Sequence, residues 1–267
     1  MDPANPFGFS LGSRQWLLLP FLGWKYNRCS MVGTLAGIAA VAAGATFAGL
    51  HTMVPWSQLY GANFNGAAPG TRTLALTFDD GPNDPYTAQL LEVLDRHGVK
   101  ATFFLLGQFV SERPELARAV AEAGHAIGSH CYTHQNLIFL SPTQLRQQIE
   151  KASRAIESAT GVLPKLFRPP FGGRRPGTFS MVRDYGMVPV MWRVSCQDWS
   201  ATSHESIVDR AVSRIKGGDV ILLHDGGHLR MGTDRSRSVC AADEIVRRCK
   251  GDGYEFVTVP QMMGGPS

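Results

Sequence analysis

From residue 71 onward, short apolar runs alternate with amphipathic stretches of helical period. The runs at 73–78 (TLALTF), 101–106 (ATFFLL), 125–129, 165–168, 187–194, 219–224 (DVILLH) and 255–259 predict strands. They are near-continuously apolar rather than alternating, which marks strands buried on both faces, as in a parallel sheet covered by helices. Between them the periodicity predicts helices near 86–97, 114–123, 142–159, 176–185, 204–215 and 238–250. Ser141-Pro142 supplies an N-cap followed by proline at the first helical position, and Gly98, Gly124 and Gly161 stand where helices should stop. This succession predicts an α/β fold, a distorted, incomplete (β/α) barrel of about seven parallel strands, in which chemistry gathers at the C-terminal ends of the strands.

The first 70 residues follow a different pattern. After Arg14, Lys25 and Arg28, a stretch without Asp, Glu, Lys or Arg continues to Arg72, and its middle, Met31 to Leu50, reads MVGTLAGIAAVAAGATFAGL. A span of ~20 apolar residues can cross a bilayer as a helix. Its many Ala and Gly residues leave two competitors open: an export signal cleaved after small residues near Ala43 to Ala45, and a buried helix of a soluble protein. The expected organisation is an N-terminal basic and polar segment over 1–30, an apolar anchor or export signal over 31–55, a Gly, Ala and Pro linker over 56–70, and a catalytic domain over 71–262. In either membrane reading, residues 31–50 meet the bilayer, the basic residues before them stay in the cytoplasm, and the large domain is extracytoplasmic, anchored or secreted. Trp56 and Tyr60 suit a membrane interface.

With 44% hydrophobic residues in 267, the chain suffices for one large domain and a short appendage. A net charge of +4, from 26 basic and 22 acidic residues without a long basic run, carries no nucleic-acid signature. No protein partner can be inferred. The five cysteines do not form a disulfide framework. Cys240 and Cys249 are nine residues apart on a predicted helix, about 2.5 turns at ~3.6 residues per turn, so they face opposite sides. For Cys131 and Cys196, a bridge and free thiols both stay open.

The polar residues that close these apolar runs change the picture. The first strand ends in Asp79-Asp80-Gly81-Pro82, two adjacent carboxylates that repel unless a cation lies between them. The third runs into His130 and His134, a pair four apart that can share one metal. The fourth ends in Arg168 within a proline-rich turn, the fifth leads to Asp198-Trp199, and the sixth ends in His224. One carboxylate and two histidines would hold a divalent ion and leave a position open for water, while a further Asp and His act as base and acid.

These residues lie in TFDDGP (77–82), SHCYTH (129–134), RPPFGG (168–173), QDW (197–199) and LLHDG (222–226). Together they resemble the polysaccharide deacetylase domain of carbohydrate esterase family four, which contains chitin, chitooligosaccharide and peptidoglycan deacetylases. The resemblance covers roughly Thr71 to Pro260. It implies that Asp80, His130 and His134 are metal ligands, that Asp79 is the catalytic base held ionised by Arg168, and that Asp198 orients the general acid His224. It also implies that Trp199 and Leu222 wall the acetyl methyl group and that the Phe171 backbone N–H is the oxyanion donor. The expected cofactor is one divalent metal ion, with Zn²⁺ favoured and Co²⁺ or Ni²⁺ able to suit the same open site. The implied activity is metal-dependent hydrolysis of N-acetyl groups on a polysaccharide substrate, peptidoglycan or chitin-type N-acetylglucosamine, with release of acetate.

The chain departs from the family pattern at Phe171, where tyrosine is usual, and at Ser195, where an acid usually opens the fourth motif; neither removes a metal ligand. Two alternatives remain at this stage: a catalytically silent, membrane-tethered glycan-binding protein, and an O-deacetylase of acetylxylan. The loop 226–237, with His228, Arg230, Arg235 and Arg237, is a candidate contact for an anionic glycan.

Overall fold

The computed structural model describes residues 28–265. The N-terminal segment expected over 1–30 lies outside the described residues except at its end. Helix α1 (Arg28–Met53) begins the described chain. Its span Val32–Met53 has a mean hydropathy of 1.6, is not buried against protein, and is long and apolar enough to cross a membrane by length and composition. The chain divides into two compact units, residues 1–45 and residues 46–267.

In the larger unit, strands and helices follow in the order β1 (Thr73–Asp79), α2 (Tyr86–Arg96), β2 (Thr102–Leu105), α3 (Gly107–Glu112), α4 (Pro114–Glu122), β3 (Ala126–Ser129), α5 (Pro142–Thr160), β4 (Leu166–Phe167) and α6 (Thr178–Asp184). They continue as β5 (Val188–Pro189), β6 (Val194–Ser195), α7 (His204–Val212), β7 (Asp219–His224), α8 (Ser236–Gly251), β8 (Glu255–Phe256) and α9 (Val259–Met262). The sheet runs β5-β4-β3-β2-β1-β7-β6, and β8 pairs with the start of β1. Every pairing between these strands is parallel, and the result is a curled half-barrel.

Strand pleating sorts the side chains onto two faces. Leu74, Leu76 and Phe78 of β1 join Phe103, Leu105, Ile221 and Leu223 under the helices, where Leu90, Ile156, Ile207 and Ile245 cover them. Ala75 turns the other way and packs inside the barrel with Phe104, Leu166, Val190 and Val220. Thr77 and Asp79 continue that inner face toward the rim. The capping box of Ser141 and Gln144 fixes the start of α5, and Gly161 ends it at φ 72.

The run 187–194 is not one strand. Val188–Pro189 pairs with β4 at one edge of the sheet and Val194–Ser195 with β7 at the other. Between them Val190 and Met191 are buried where the chain crosses the gap between the two edges, so an apolar run that reads as one strand serves as two. Residues of the expected linker meet the same gap. Phe64 N–H donates to Pro189 O at 2.9 Å and its carbonyl accepts from Met191 N at 2.7 Å, while Arg193 donates to Asn65 Oδ1 and to the carbonyls of Gly66 and Ala67. Helix α3 was not expected, and the run 255–259 is strand only over Glu255–Phe256. Cys131 and Cys196 are free and buried in separate clusters; Cys249 is buried and Cys240 exposed on opposite sides of α8.

Candidate active site

Strand β1 delivers two adjacent carboxylates to the same rim, where Asp79 Oδ2 lies 3.9 Å and Asp80 Oδ1 3.5 Å from His130 Nε2. Asp79, its last residue, pairs in register with His224 of β7. Asp80 then adopts a left-handed φ of 74°, a conformation a non-glycine residue keeps only where its surroundings enforce it. A Cβ at Gly81 would lie 2.1 Å from Asp225 Oδ2, and one at Gly226 would lie 2.0 Å from the Asp80 carbonyl oxygen. Both glycines are therefore required for β1 and β7 to end this close together.

Asp80 meets two histidines from the loop after β3. Its Oδ1 lies 3.5 Å from His130 Nε2 and 3.2 Å from His134 Nε2, and one candidate ligand atom from each of the three lies within 4.8 Å of the others. His130 Nδ1 is 2.8 Å from the Arg168 carbonyl; donation of its N–H there turns the Nε2 lone pair toward Asp80, as a metal-ligating imidazole requires. Gln148 Oε1 accepts from the amides of Tyr132 and Thr133 and fixes the loop between the histidines. Burial lowers His130 to about 3 and His134 to about 2, so both rings are neutral. Burial also raises Asp80 to about 7, and its Oδ1 has no hydrogen-bond partner. Two neutral imidazoles and an orphaned, buried carboxylate oxygen fit a divalent cation, which would restore the ionisation of Asp80.

Asp79 has a different environment. Arg168, fully buried, donates from Nη1 to Asp79 Oδ1 at 2.7 Å and to Thr77 Oγ1 at 2.8 Å. Its Nε and Nη2 reach the carbonyls of Val190 and Met191, and its guanidinium lies 4.0 Å from the Phe104 ring centroid. Burial pushes the Asp79 carboxyl up, and the Arg168 charge and hydrogen bond oppose that shift.

On the other side, Asp198 holds His224 by two bonds of 2.8 Å, from His224 Nδ1 to Oδ1 and from the His224 amide to Oδ2. Ser238 Oγ adds a third at 2.7 Å. Burial disfavours a charged His224, but the Asp198 charge and hydrogen bond, with Asp80 and Asp79 behind them, raise it to about 9. Burial likewise opposes ionisation of Asp198, yet the His224 charge and the bonds from His224 and Ser238 hold it below the usual carboxylate range. The loop that begins at Ser195 is fastened without an acid there, since Arg214 and Arg210 donate to the carbonyls of Ser195, Cys196 and Gln197.

Trp199, 52% exposed, stands edge-on to His224 at 5.2 Å. Leu222 pairs with Thr77 one pleat below His224, on the inner face. Phe171, at φ 58°, lays its ring edge-on to His134 at 4.4 Å. The fold thus brings together all ten residues that the motifs single out.

Sequence reasoning singled out His228, Arg235 and Arg237 only as candidate glycan contacts and did not find their supporting role or that of Asn83. His228 stacks on His134 at 4.7 Å and meets Phe171 at 5.4 Å. Asn83 ties its loop down through the carbonyls of Asp225 and Thr233 and the amide of Gly232. Arg235 and Arg237 each donate to a main-chain carbonyl, of Gly226 and Ala201 respectively, while Arg230 and Arg237 are both exposed. Gln148 and Ser238 carry no sequence signal of their own, and Thr77, though it opens TFDDGP, shows its bond to Arg168 only in the folded chain.

Comparison with known proteins fits this geometry. Residues 66–190 match the family model described as polysaccharide deacetylase. The chain is 35% identical over 216 residues to a peptidoglycan-N-acetylglucosamine deacetylase of Bacillus cereus, covering 80% of this chain and 76% of that protein. It is 36% identical over 204 residues to a chitooligosaccharide deacetylase of Bradyrhizobium, covering 74% and 93%. Among solved structures, a peptidoglycan N-acetylglucosamine deacetylase bound to a substituted benzamide superposes with a TM-score of 0.73 at 34% identity, covering 80% of this chain and 98% of that one.

Proposed function

This chain belongs to the polysaccharide deacetylase family, and from that premise we propose that it hydrolyses N-acetyl groups of a peptidoglycan or chitin-type glycan, releasing acetate and a free glucosamine unit. The observation that carries the reading is the placement of Asp79 and His224 on adjacent strands, in register, with the Asp80, His130 and His134 cluster beside them.

A divalent ion on Asp80, His130 and His134 would polarise the acetyl carbonyl and make a water acidic enough to deprotonate near neutral pH. Asp79, ionised against Arg168, takes the proton of the attacking water. The Phe171 amide donates to the oxygen that gains negative charge, a contribution on the order of 3 kcal/mol for a preorganised donor. His224, held protonated by Asp198, passes its proton to the departing amine. Trp199 and Leu222 bound the space for the methyl group. Zinc is favoured for the ligand set of two imidazoles and one carboxylate, with cobalt or nickel as alternatives.

Because peptidoglycan and chitin are extracytoplasmic, the domain works outside the membrane, tethered by α1 or released after cleavage. A silent glycan-binding protein would be expected to lack the base or the acid, and both are present and partnered. The test is acetate release by the metal-loaded full chain from peptidoglycan, chitooligosaccharide and acetylxylan. Release from one of the first two supports the proposal and names its glycan; release from acetylxylan alone overturns the assignment to N-acetyl groups.

A further inference from the structure

We propose that Arg174 is a positioning residue for the reaction, fastening the loop that carries Phe171 to the carbonyl end of helix α1. The inference rests on the deacetylase reading above and on the Phe171 amide as oxyanion donor.

Arg174 is fully buried, and among the described residues it has no acidic partner. Its hydrogen bonds go to main-chain carbonyls. Nη1 donates to Gly172 O at 3.1 Å and to Thr52 O at 3.5 Å, and Nη2 donates to Val54 O and to Ser57 O at 3.1 Å. Its own amide donates to Thr52 O at 3.1 Å. The last carbonyls of a helix have no partner within it and carry the negative end of its dipole. A guanidinium, with five donors in a rigid fork, can gather several of them at once. Arg174 thus ties down, from a distant part of the chain, the last turn of helix α1 at Thr52 and the turn that follows it at Val54 and Ser57.

The loop that supplies it needs holding. Phe171 is left-handed, at φ 58° and ψ 6°, and Gly172 follows at φ 70°. On one side, Gly172 is packed so closely that a Cβ would come within 2.9 Å of Trp192. On the other side, the Gly172 carbonyl is held by Arg174. The Phe171 ring lies against His134, so a shift of this loop would move both the amide donor and the cover over a candidate metal ligand. Residues 46–57 belong to the same compact unit as the loop.

The experiment compares the full chain with Arg174→Met, which keeps the stem and loses the donors, and Arg174→Lys, which restores a cation with fewer of them. kcat and KM for acetate release from chitooligosaccharide are measured alongside amide hydrogen exchange of residues 171–173 and the melting temperature. Misplacing a catalytic group by ~1 Å can cost on the order of 100-fold. The expected result is a fall in kcat of roughly 10- to 100-fold with KM changed less than about twofold, faster exchange at 171–173, and partial recovery in Arg174→Lys. A folded Arg174→Met with unchanged kcat and unchanged loop exchange overturns the proposal. So does a loss of rate that only tracks the fraction folded while loop exchange stays at the wild-type level. If Arg174→Met does not fold, Arg174→Lys decides: wild-type kcat and exchange in that variant overturn the proposal as well. If the wild-type chain releases no acetate, it is the deacetylase reading that fails, and loop exchange alone decides whether Arg174 holds the loop.

Discussion

The Arg168 guanidinium donates to Asp79 Oδ1 at 2.7 Å with neither side chain open to solvent, while Asp80, the next residue, has an oxygen with no hydrogen-bond partner. Two adjacent carboxylates thereby have different surroundings: one is paired with a fixed cation, and the other fits a mobile one.

Removing the fixed cation would leave a buried charge uncompensated. Arg168→Met is expected to cost about 3–5 kcal/mol of stability, read by denaturant unfolding. In the fraction that folds, Asp79 loses the opposition to its burial shift and its pKa rises further, so the acid limb of kcat against pH moves upward. An unchanged acid limb would contradict the role of Arg168 in holding Asp79 ionised.

The orphaned carboxylate predicts opposite effects in the metal-free and loaded states. Asp80→Ala removes a carboxylate that burial already disfavours, so the metal-free variant should melt no lower than metal-free wild type. With divalent ion at 100 times its Kd, wild type should gain about 2.7 kcal/mol, and Asp80→Ala and His130→Ala should gain nothing. Calorimetric melts with and without ion check both statements.

The His224 and Asp198 pair sets a pH window. His224 is raised from 6.5 to about 9 in the folded protein, so its stabilising contribution is complete below 6.5 and is lost as pH rises through about 9. Asp198 is lowered from 3.8, so its contribution is present above 3.8 and is lost as pH falls through the depressed value. If His224 is the general acid, kcat should fall as pH rises through about 9, and Asp198→Asn should bring that limb down toward the ordinary histidine value. A pH–rate profile of both proteins checks the shift.

Gly172 tests the Phe171 loop independently of any charge. Its φ of 70° is unfavourable for an L side chain, and a Cβ would press on Trp192 at 2.9 Å and Met191 at 3.3 Å. Gly172→Ala should lose roughly 1–2 kcal/mol from the left-handed conformation alone, with kcat falling more than the melting temperature implies.

Much of this was legible in the sequence because strand burial and site chemistry are local signals. TLALTF followed by two aspartates states both a buried strand and a polar end in eight consecutive residues. The run 187–194 misled because periodicity reports burial and not partner, and Val190 and Met191 are as buried in crossing the gap as strand residues would be. Residues 61–70 have the composition of a linker, yet their bonds to Pro189, Met191, Gly218 and Arg193 use main-chain atoms that composition does not register. Arg174 lies just outside the RPPFGG motif, and only the folded chain brings the carbonyls of Thr52, Val54 and Ser57 to it.

The most direct test titrates divalent zinc into chelated full-length protein and follows acetate release from N-acetylated chitooligosaccharide, for wild type and Asp79→Asn. The account predicts that wild-type release rises from nothing to a plateau at one ion per chain, and that Asp79→Asn binds the ion equally and releases almost no acetate. Release that survives chelation, or normal turnover in Asp79→Asn, would contradict it.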